Sequence, residues 1–400
     1  MHPSYELRGT KNRKLEGRKI VLGVTGSIAA VECVKLIREL IRHGALVYPV
    51  MTAAAARIIH PDSLWFASGN PVIEHITGAV EHVALCGKVK DRADLLMIAP
   101  ATSNTISKMA CGIDDTPVTT FAATAIGTGI PVMVAPAMHE SMYDHPAVQE
   151  NIVKLKGMGV EFIAPIREEN KAKLASIDLI VMAVLRKLGP SDLKGNRVLV
   201  IAGSTREPID DIRCITNSSS GKTGIGIALA AWYRGAAVEL WYGTSPASPP
   251  DVFPVRSFDT VGSLMRMSRG LKLGFDAIIV PAAISDYSVE KAKGKLESEN
   301  VPELKLKRTP KVIKAIRARF KGVLVGFKAQ TGQDDGALER EARDMMASSG
   351  ADLAVANNMS NVLDDTTEII IVPKKGAVTK FSGTKLEAAD AILDEVVKLL

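Results

Sequence analysis

The sequence predicts an α/β chain of two tandem Rossmann-like units, and three observations predict it. Short apolar runs alternate with amphipathic stretches, the pattern of a parallel sheet with helices on both faces. Each half opens on such a run followed by a glycine-bearing turn, at Gly26 and again at Gly221. The 400 residues exceed one ordinary domain, and a polar, punctuated segment at Arg186–Arg197 is the best linker.

Ile20–Val24 is the first strand, and Thr25-Gly26-Ser27 leads into an amphipathic helix reaching Arg42. His43-Gly44 stops that helix, and Ala45–Val50, Leu95–Ala99, Val132–Ala135 and Glu161–Ala164 are the following strands. The uncharged stretch Thr116–Met138 would span a bilayer by length alone. Pro117, Gly127, Gly129, Pro131 and Pro136 divide it into buried helix, turn and strand, so no membrane partner is expected. Beyond the linker come strand Val198–Ala202, a loop to Ser220 and a helix through Trp232. Strands Ala236–Trp241, Ala277–Val280, Val323–Phe327 and Leu353–Ala356 follow. A hairpin of Glu368–Val372 with Val378–Phe381 and a helix over Lys385–Leu400 close the chain. The expected division is a flexible basic N-terminus at 1–18, a first domain at 19–189 and a second at 190–400.

Composition excludes several classes. Apolar residues at 46% and charged residues at 24% supply ordinary cores, which rules out a disordered or coiled-coil chain. Fifty basic against 44 acidic residues leave +6, a mild excess that suits anionic small molecules better than nucleic acid. Aromatics at 4% are too few for a base-stacking platform. Cys33, Cys86, Cys111 and Cys214 show neither C-x-x-C nor zinc spacing, so a reducing, cytoplasmic setting is expected. The lead-in carries Arg8, Lys11, Arg13, Lys14, Arg18 and Lys19 and no apolar run, unlike a secretory signal. All seven histidines lie within the first 145 residues, so imidazole chemistry belongs to the first unit alone.

The turn Gly23-Val-Thr-Gly-Ser-Ile28 sets amides and a hydroxyl at a helix start, a place for phosphate. The dinucleotide fingerprint is absent and no acid follows Val50-Met51 to hold a ribose, so a single phosphate, as in FMN, fits better than NAD. Ala99–Thr105 and Pro136–Tyr143 follow strands directly, where open α/β sheets bind ligands. Together G-x-T-G-S-I, E-H-V-A-L, A-P-A-T-x-N and P-A-M-x-x-x-M-Y resemble the flavin-dependent phosphopantothenoylcysteine decarboxylase family. The resemblance implies a flavoprotein-type parallel sheet with FMN on Gly26, Ser27, Ile28, Thr52, Ala101, Thr102, Ser103, Asn104 and Met138. It implies oxidation of a cysteinyl thiol, loss of CO2 and re-reduction. His82 takes the place of the family's active-site histidine, with His75 as the competing candidate. His139 stands where the family has an asparagine for the substrate carboxylate. The family's flap cysteine, a proton donor, has no counterpart in Arg167–Ser176, which leaves Lys171, Lys173 or another group for that role. Cys86 and Cys111 are expected as buried small hydrophobes.

In the second half Gly221-Lys222-Thr223 looks like a P-loop, but Thr216 stands where that motif needs glycine. What remains is a nest of amides and hydroxyls suited to oxyanions. Ala202–Asp210, Ile215–Gly224, Ala282–Tyr287 and Gly326–Thr331, in that order, resemble phosphopantothenate–cysteine ligase. That resemblance implies a mixed-sheet ligase domain that activates the phosphopantothenate carboxylate with a nucleotide, usually CTP, before cysteine attacks. It places the nucleotide on Ala282, Asp286, Lys295, Pro310, Lys311, Val312, Ile313 and Phe327, with Asp286 also on Mg2+. By the same resemblance Asn217 matches the asparagine that turns over the acyl-nucleotide, with Arg213 beside it, and Arg340 or Arg343 is expected to stand in for lysines that have no clear match. Gln330 replaces a usual acid and leaves CTP against ATP open. The expected protein is a bifunctional enzyme of coenzyme A synthesis and a homo-oligomer. The alternative is a flavin-binding regulatory scaffold with an inactive first half, or a nicotinamide-dependent oxidoreductase.

Overall fold

The computed structural model describes residues 2–272, 274–296, 303–330, 332, 334–358 and 365–400. It divides into two compact units, Met1–Gly189 and Pro190–Leu400. The first has strands β1 (Lys19–Val24), β2 (Leu46–Met51), β3 (Leu95–Ala101), β4 (Val132–Pro136), β5 (Met138–His139), β6 (Glu161–Phe162), β7 (Ile166–Glu168) and β8 (Lys171–Lys173). Five of them form a sheet in the order β2-β1-β3-β4-β6. Every pairing in it is parallel, and all seven residues of β3 are buried, as a strand covered on both faces must be. Cys33, Leu36, Ile37, Leu40 and Ile41 recur at helical spacing and bury one stripe of helix Cys33–Arg42 on that sheet. The turn before it, Ile28–Glu32, is 3-10 where one continuous helix was expected.

The N-terminal lead-in is a packed part of the first unit, which corrects the expectation of a flexible arm. Gly9, Lys11 and Leu15 donate backbone N–H bonds to the carbonyls of Ile41, Arg42 and His43, taking up the orphan acceptors of that helix end. Leu15 is fully buried. Gly44, at φ +103, has the Glu16 nitrogen 2.8 Å from where its Cβ would stand, so the chain crosses on top of a residue that must be glycine. The lead-in's charges are matched from afar: Lys11 by Glu39, Arg18 by Asp94, Lys19 by Asp91. Burial under this crossing pushes the His43 imidazole down to about 4.

The second unit has strands β9 (Arg197–Ala202), β10 (Arg206–Pro208), β11 (Cys214–Thr216), β12 (Ala237–Tyr242), β13 (Val255–Ser257), β14 (Ala277–Val280), β15 (Tyr287–Ser288), β16 (Lys307–Arg308), β17 (Val323–Gln330), β18 (Leu353–Asn358), β19 (Thr366–Pro373) and β20 (Thr379–Thr384). Its large sheet runs β13-β12-β9-β14-β17-β18-β19-β20, parallel as far as β18 and antiparallel in the terminal hairpin. Helices Lys222–Tyr233 and Lys385–Val397 contribute to the core over one face, and Val261–Arg269 and Asp335–Ser349 to a second core. The expected linker is shorter than the polar run suggested. Arg186–Leu188 complete helix Ile177–Leu188, while Leu193 is buried in the second unit and Asp192 pairs with Arg234.

Candidate active sites

The first candidate site follows from the strand order. In β2-β1-β3-β4 the chain leaves β1 toward one side and returns to β3 on the other, and ligands bind at the carboxyl ends beside such a reversal. Thr25–Ile28 leave β1, Thr52 leaves β2, Ala101–Asn104 end β3 and lead on from it, and Met138 comes just after β4. The structure therefore sets Gly26, Ser27, Ile28, Thr52, Ala101, Thr102, Ser103, Asn104 and Met138 along one rim. Thr25 ties the two central loops, its Oγ1 donating to the Pro100 carbonyl at 2.8 Å and accepting from the Thr102 amide at 3.0 Å. Gly26 admits no larger residue, since its Cβ would stand 2.6 Å from that of Ala54. Ser27 makes no side-chain cap to the turn it opens, and Thr102 caps helix Ser103–Cys111 through the Thr105 amide. Ile28 is 77% exposed, so its side chain points outward rather than into a core.

His82 lies on helix Glu81–Cys86 with its ring edge-on to the buried Phe121, centroids 6.4 Å apart. Its Nδ1 is buried and has no hydrogen-bond partner among the described residues. Such an atom forfeits roughly 1–3 kcal/mol unless something satisfies it, which sets His82 apart from the exposed His75. Among the described residues no hydrogen bond joins His82 to the rim. His139 begins helix Glu140–Tyr143, and its Nδ1 accepts the Ser141 amide at 3.4 Å, which leaves Nε2–H as the outward donor.

The segment lacking the flap cysteine is a β-hairpin, β7 and β8, turned at Glu169 and Asn170, both at positive φ. It docks on the P-A-M-H segment: β8 pairs with β5, setting Lys171 opposite His139, and Glu140 donates its amide to the Asn170 carbonyl. Lys173 is held by Glu168 and Glu169, whereas the Lys171 side chain makes neither ion pair nor hydrogen bond among the described residues. Burial pushes the Cys86 thiol up to about 12 and the Cys33 thiol up as well, so both are inert. Cys111 is exposed at the end of its helix, contrary to expectation.

In the second unit a cavity of about 1110 Å³ opens at the ends of β9, β14 and β17, again beside the reversal in β12-β9-β14. Asn217, Ala282, Asp286, Pro310, Lys311, Val312, Ile313 and Phe327 all line it. Asp286 is ion-paired to Lys311 at 2.6 Å. Thr309 fastens this edge, its amide on the Asp286 carbonyl and its hydroxyl on that of Ser285. Ser218–Gly221 and Thr223 supply the expected nest of amides and hydroxyls. A side chain at Gly221, φ +74, would collide with the Tyr242 hydroxyl. Lys222 reaches instead to Asp365 at 2.7 Å, in keeping with rejection of the P-loop.

Arg213 and Lys295 are not on the cavity wall. Arg213 reaches the Asp210 carboxylate at 3.1 Å and the Leu296 carbonyl at 3.2 Å. Backbone N–H groups of Arg213, Ile212 and Leu296 hold the Asp210 carboxyl down at about 2, and exposed Lys295 sits on the loop docked there. The cations that sequence reasoning missed are Lys314, Lys328 and Lys385, which line the cavity where Arg340 and Arg343 do not. Lys328 pairs with Glu341, a second lining residue, and was legible inside the G-F-K-A-Q-T motif. Gln330 donates to Glu341 off the wall, and Thr331 lies outside the described residues. No cluster of three His, Cys, Asp or Glu suited to a metal occurs among the described residues.

A Flavoprotein family model matches residues 8–189, and the DNA/pantothenate metabolism flavoprotein C-terminal domain matches 193–400. The coenzyme A biosynthesis bifunctional protein CoaBC of Thermococcus kodakarensis is 49% identical, with all of both chains covered. That of Methanocaldococcus jannaschii is 42% identical over all of this chain and 98% of its own. That of Escherichia coli is 34% identical over 86% of this chain and 87% of its own. Among solved structures, the DNA/pantothenate metabolism flavoprotein of Streptococcus pneumoniae is 25% identical over 50% of this chain and 98% of its own, with a TM-score of 0.47.

Proposed function

This chain belongs to the family of bifunctional coenzyme A biosynthesis proteins, and on that premise we propose how its two halves divide the work. The second unit joins cysteine to phosphopantothenate at the expense of CTP, and the first decarboxylates the product to phosphopantetheine. The observation that carries the reading is the second cavity, where Asn217, Asp286, Lys311 and Phe327, scattered over 111 positions of sequence, line one wall system.

A carboxylate is a poor electrophile, so it must be activated before an amine can attack. Lys311 and Lys328 are placed to balance charge on a triphosphate, and their partners Asp286 and Glu341 hold them ready for it. Asp286 would hold Mg2+ through one oxygen, with nucleotide phosphates completing the shell. Asn217 stands exposed on the cavity wall, and its side-chain amide makes no hydrogen bond among the described residues, which suits it to the acyl-nucleotide.

The first rim fits FMN: the Gly26 turn and the start of helix Ser103–Cys111 offer amides and hydroxyls to its phosphate without a competing carboxylate. When bound, the flavin supplies reversible two-electron chemistry at the cysteinyl end of the substrate. His82 takes the thiol proton, His139 donates from Nε2 to the substrate carboxylate, and Lys171 across the ladder adds positive charge beside it. Mass spectrometry after supplying phosphopantothenate, cysteine, Mg2+ and CTP tests both halves at once. Phosphopantetheine is the expected product. Bound flavin with phosphopantothenoylcysteine accumulating would favour a regulatory first half, and no consumption of CTP or ATP would refute the ligase assignment.

A further inference from the structure

A second cleft in the C-terminal unit, about 420 Å³, has no place in either reaction above. Helix Val261–Arg269 turns Gly262, Met265, Arg266 and Arg269 toward it at spacings of three and four, which is one helical face. Arg308 on β16 comes to it from the other side, with Ser288 of the paired strand β15. Three guanidiniums from two separate elements thus border one depression. None of the three makes an ion pair or a hydrogen bond with its side chain among the described residues, and all three are exposed. By contrast Arg234, Arg317 and Arg343 each hold a carboxylate.

The cleft's own acid, one negative charge against three positive, makes no ion pair with any of the three arginines among the described residues. Glu207 is buried, and its Oε1 accepts the Val261 amide at 2.7 Å, spending it on the start of the helix. Unmatched like charges at one place are unfavourable unless an anion joins them, and the planar fork of arginine suits phosphate oxygens. The cleft lies within the size range of small-molecule sites and has room for more than one phosphate group. We propose that this cleft is an anion site, distinct from the nucleotide cavity, for an oligophosphate group, free or carried by a small molecule. It shares Thr309 and Pro310 with the nucleotide cavity, and Thr309 is bonded to the Asp286 carbonyl, so the two adjoin along that edge.

Calorimetric titration of the full chain with inorganic tripolyphosphate, in buffer without divalent cation, tests this. Two classes of site are expected. Arg266→Gln/Arg269→Gln should weaken one of them by about tenfold or more, since each lost charge-assisted bond is worth a tenfold factor or greater. Lys311→Gln should weaken only the other. Arg266→Lys/Arg269→Lys, which keeps charge without the fork, should fall between, and an unchanged thermal midpoint shows that the unit remains folded. Repeating the series with a nucleoside diphosphate tells a free anion from a carried one by which ligand the arginine pair affects more. A single class of site, weakened by Lys311→Gln and untouched by the arginine changes, overturns the proposal.

Discussion

At the rim formed by the ends of β1 and β3 the side chains are two hydroxyls and one amide, from Ser27, Ser103 and Asn104. At the corresponding place between β9 and β14, Asp286 is paired with Lys311 and Lys328 with Glu341. One topology thus carries a neutral site and a charged one. Backbone amides and helix dipoles, worth roughly 0.3–2 kcal/mol per anion, suffice for a cofactor phosphate that stays put. On the function proposed above, a triphosphate would arrive, react and depart, altering the local charge at each step. Lysines with resident counter-ions can exchange partners as it does so, without leaving a bare cation behind.

The largest test of that contrast is His82→Asn. Loss of a general base should cut CO2 release by about 10²–10⁴-fold, measured with phosphopantothenoylcysteine, while amide formation stays at its wild-type rate. If decarboxylation continues unchanged, the proton is taken elsewhere. Asn217→Asp should mirror this in the other half. We expect the acyl-nucleotide to accumulate and amide synthesis to drop by about 10²-fold or more, the scale of losing one oxyanion donor, with CO2 release intact; rapid-quench product analysis decides it.

A third test concerns stability rather than turnover. Burial holds His43 neutral down to about pH 4, whereas an unfolded imidazole titrates near about 6.5. Between those values the unfolded chain binds a proton that the folded chain refuses, so stability falls as pH drops from about 6.5 to 4. The first unit should lose on the order of 2–3 kcal/mol across that window, read by urea unfolding, and His43→Asn should flatten the slope. The smallest effect belongs to Lys222→Ala. Its exposed pair with Asp365 contributes about 0–1 kcal/mol, and the apparent KM for nucleotide should stay within about twofold, because the lysine points out of the nest. A loss of about tenfold or more would bring back a P-loop role.

Sequence made the sheets legible because buried parallel strands are unbroken apolar runs, as at Leu95–Ala101 and Val198–Ala202. The rims were legible for a related reason, since whatever follows such a run stands at the ligand edge. Long-range matching was not. Nothing local in the basic lead-in announces that Glu39, Asp91 and Asp94 await its charges. The β7–β8 hairpin escaped notice because Glu169 and Asn170 make its turn without glycine. Glu341 and Asp344 could be assigned to the cavity only once helix Asp335–Ser349 was seen to pack over β17 and β18. Arg213 and Lys295 match their motifs by spacing, yet loop docking on Asp210 keeps them off the wall.

The ligase cavity draws its lining from Gly203 to Ile392, including Ala388 in the closing helix. The residues of the first candidate rim and its docked hairpin are all in place by Lys173. On the ribosome, where domains fold as units from the N-terminus, the first pocket can therefore be ready for its prosthetic group while the second is still unfinished. Removing helix Lys385–Val397 would take Lys385, Ala388 and Ile392 out of the second cavity and leave every residue of the first rim in place, so the two pockets mature on different clocks.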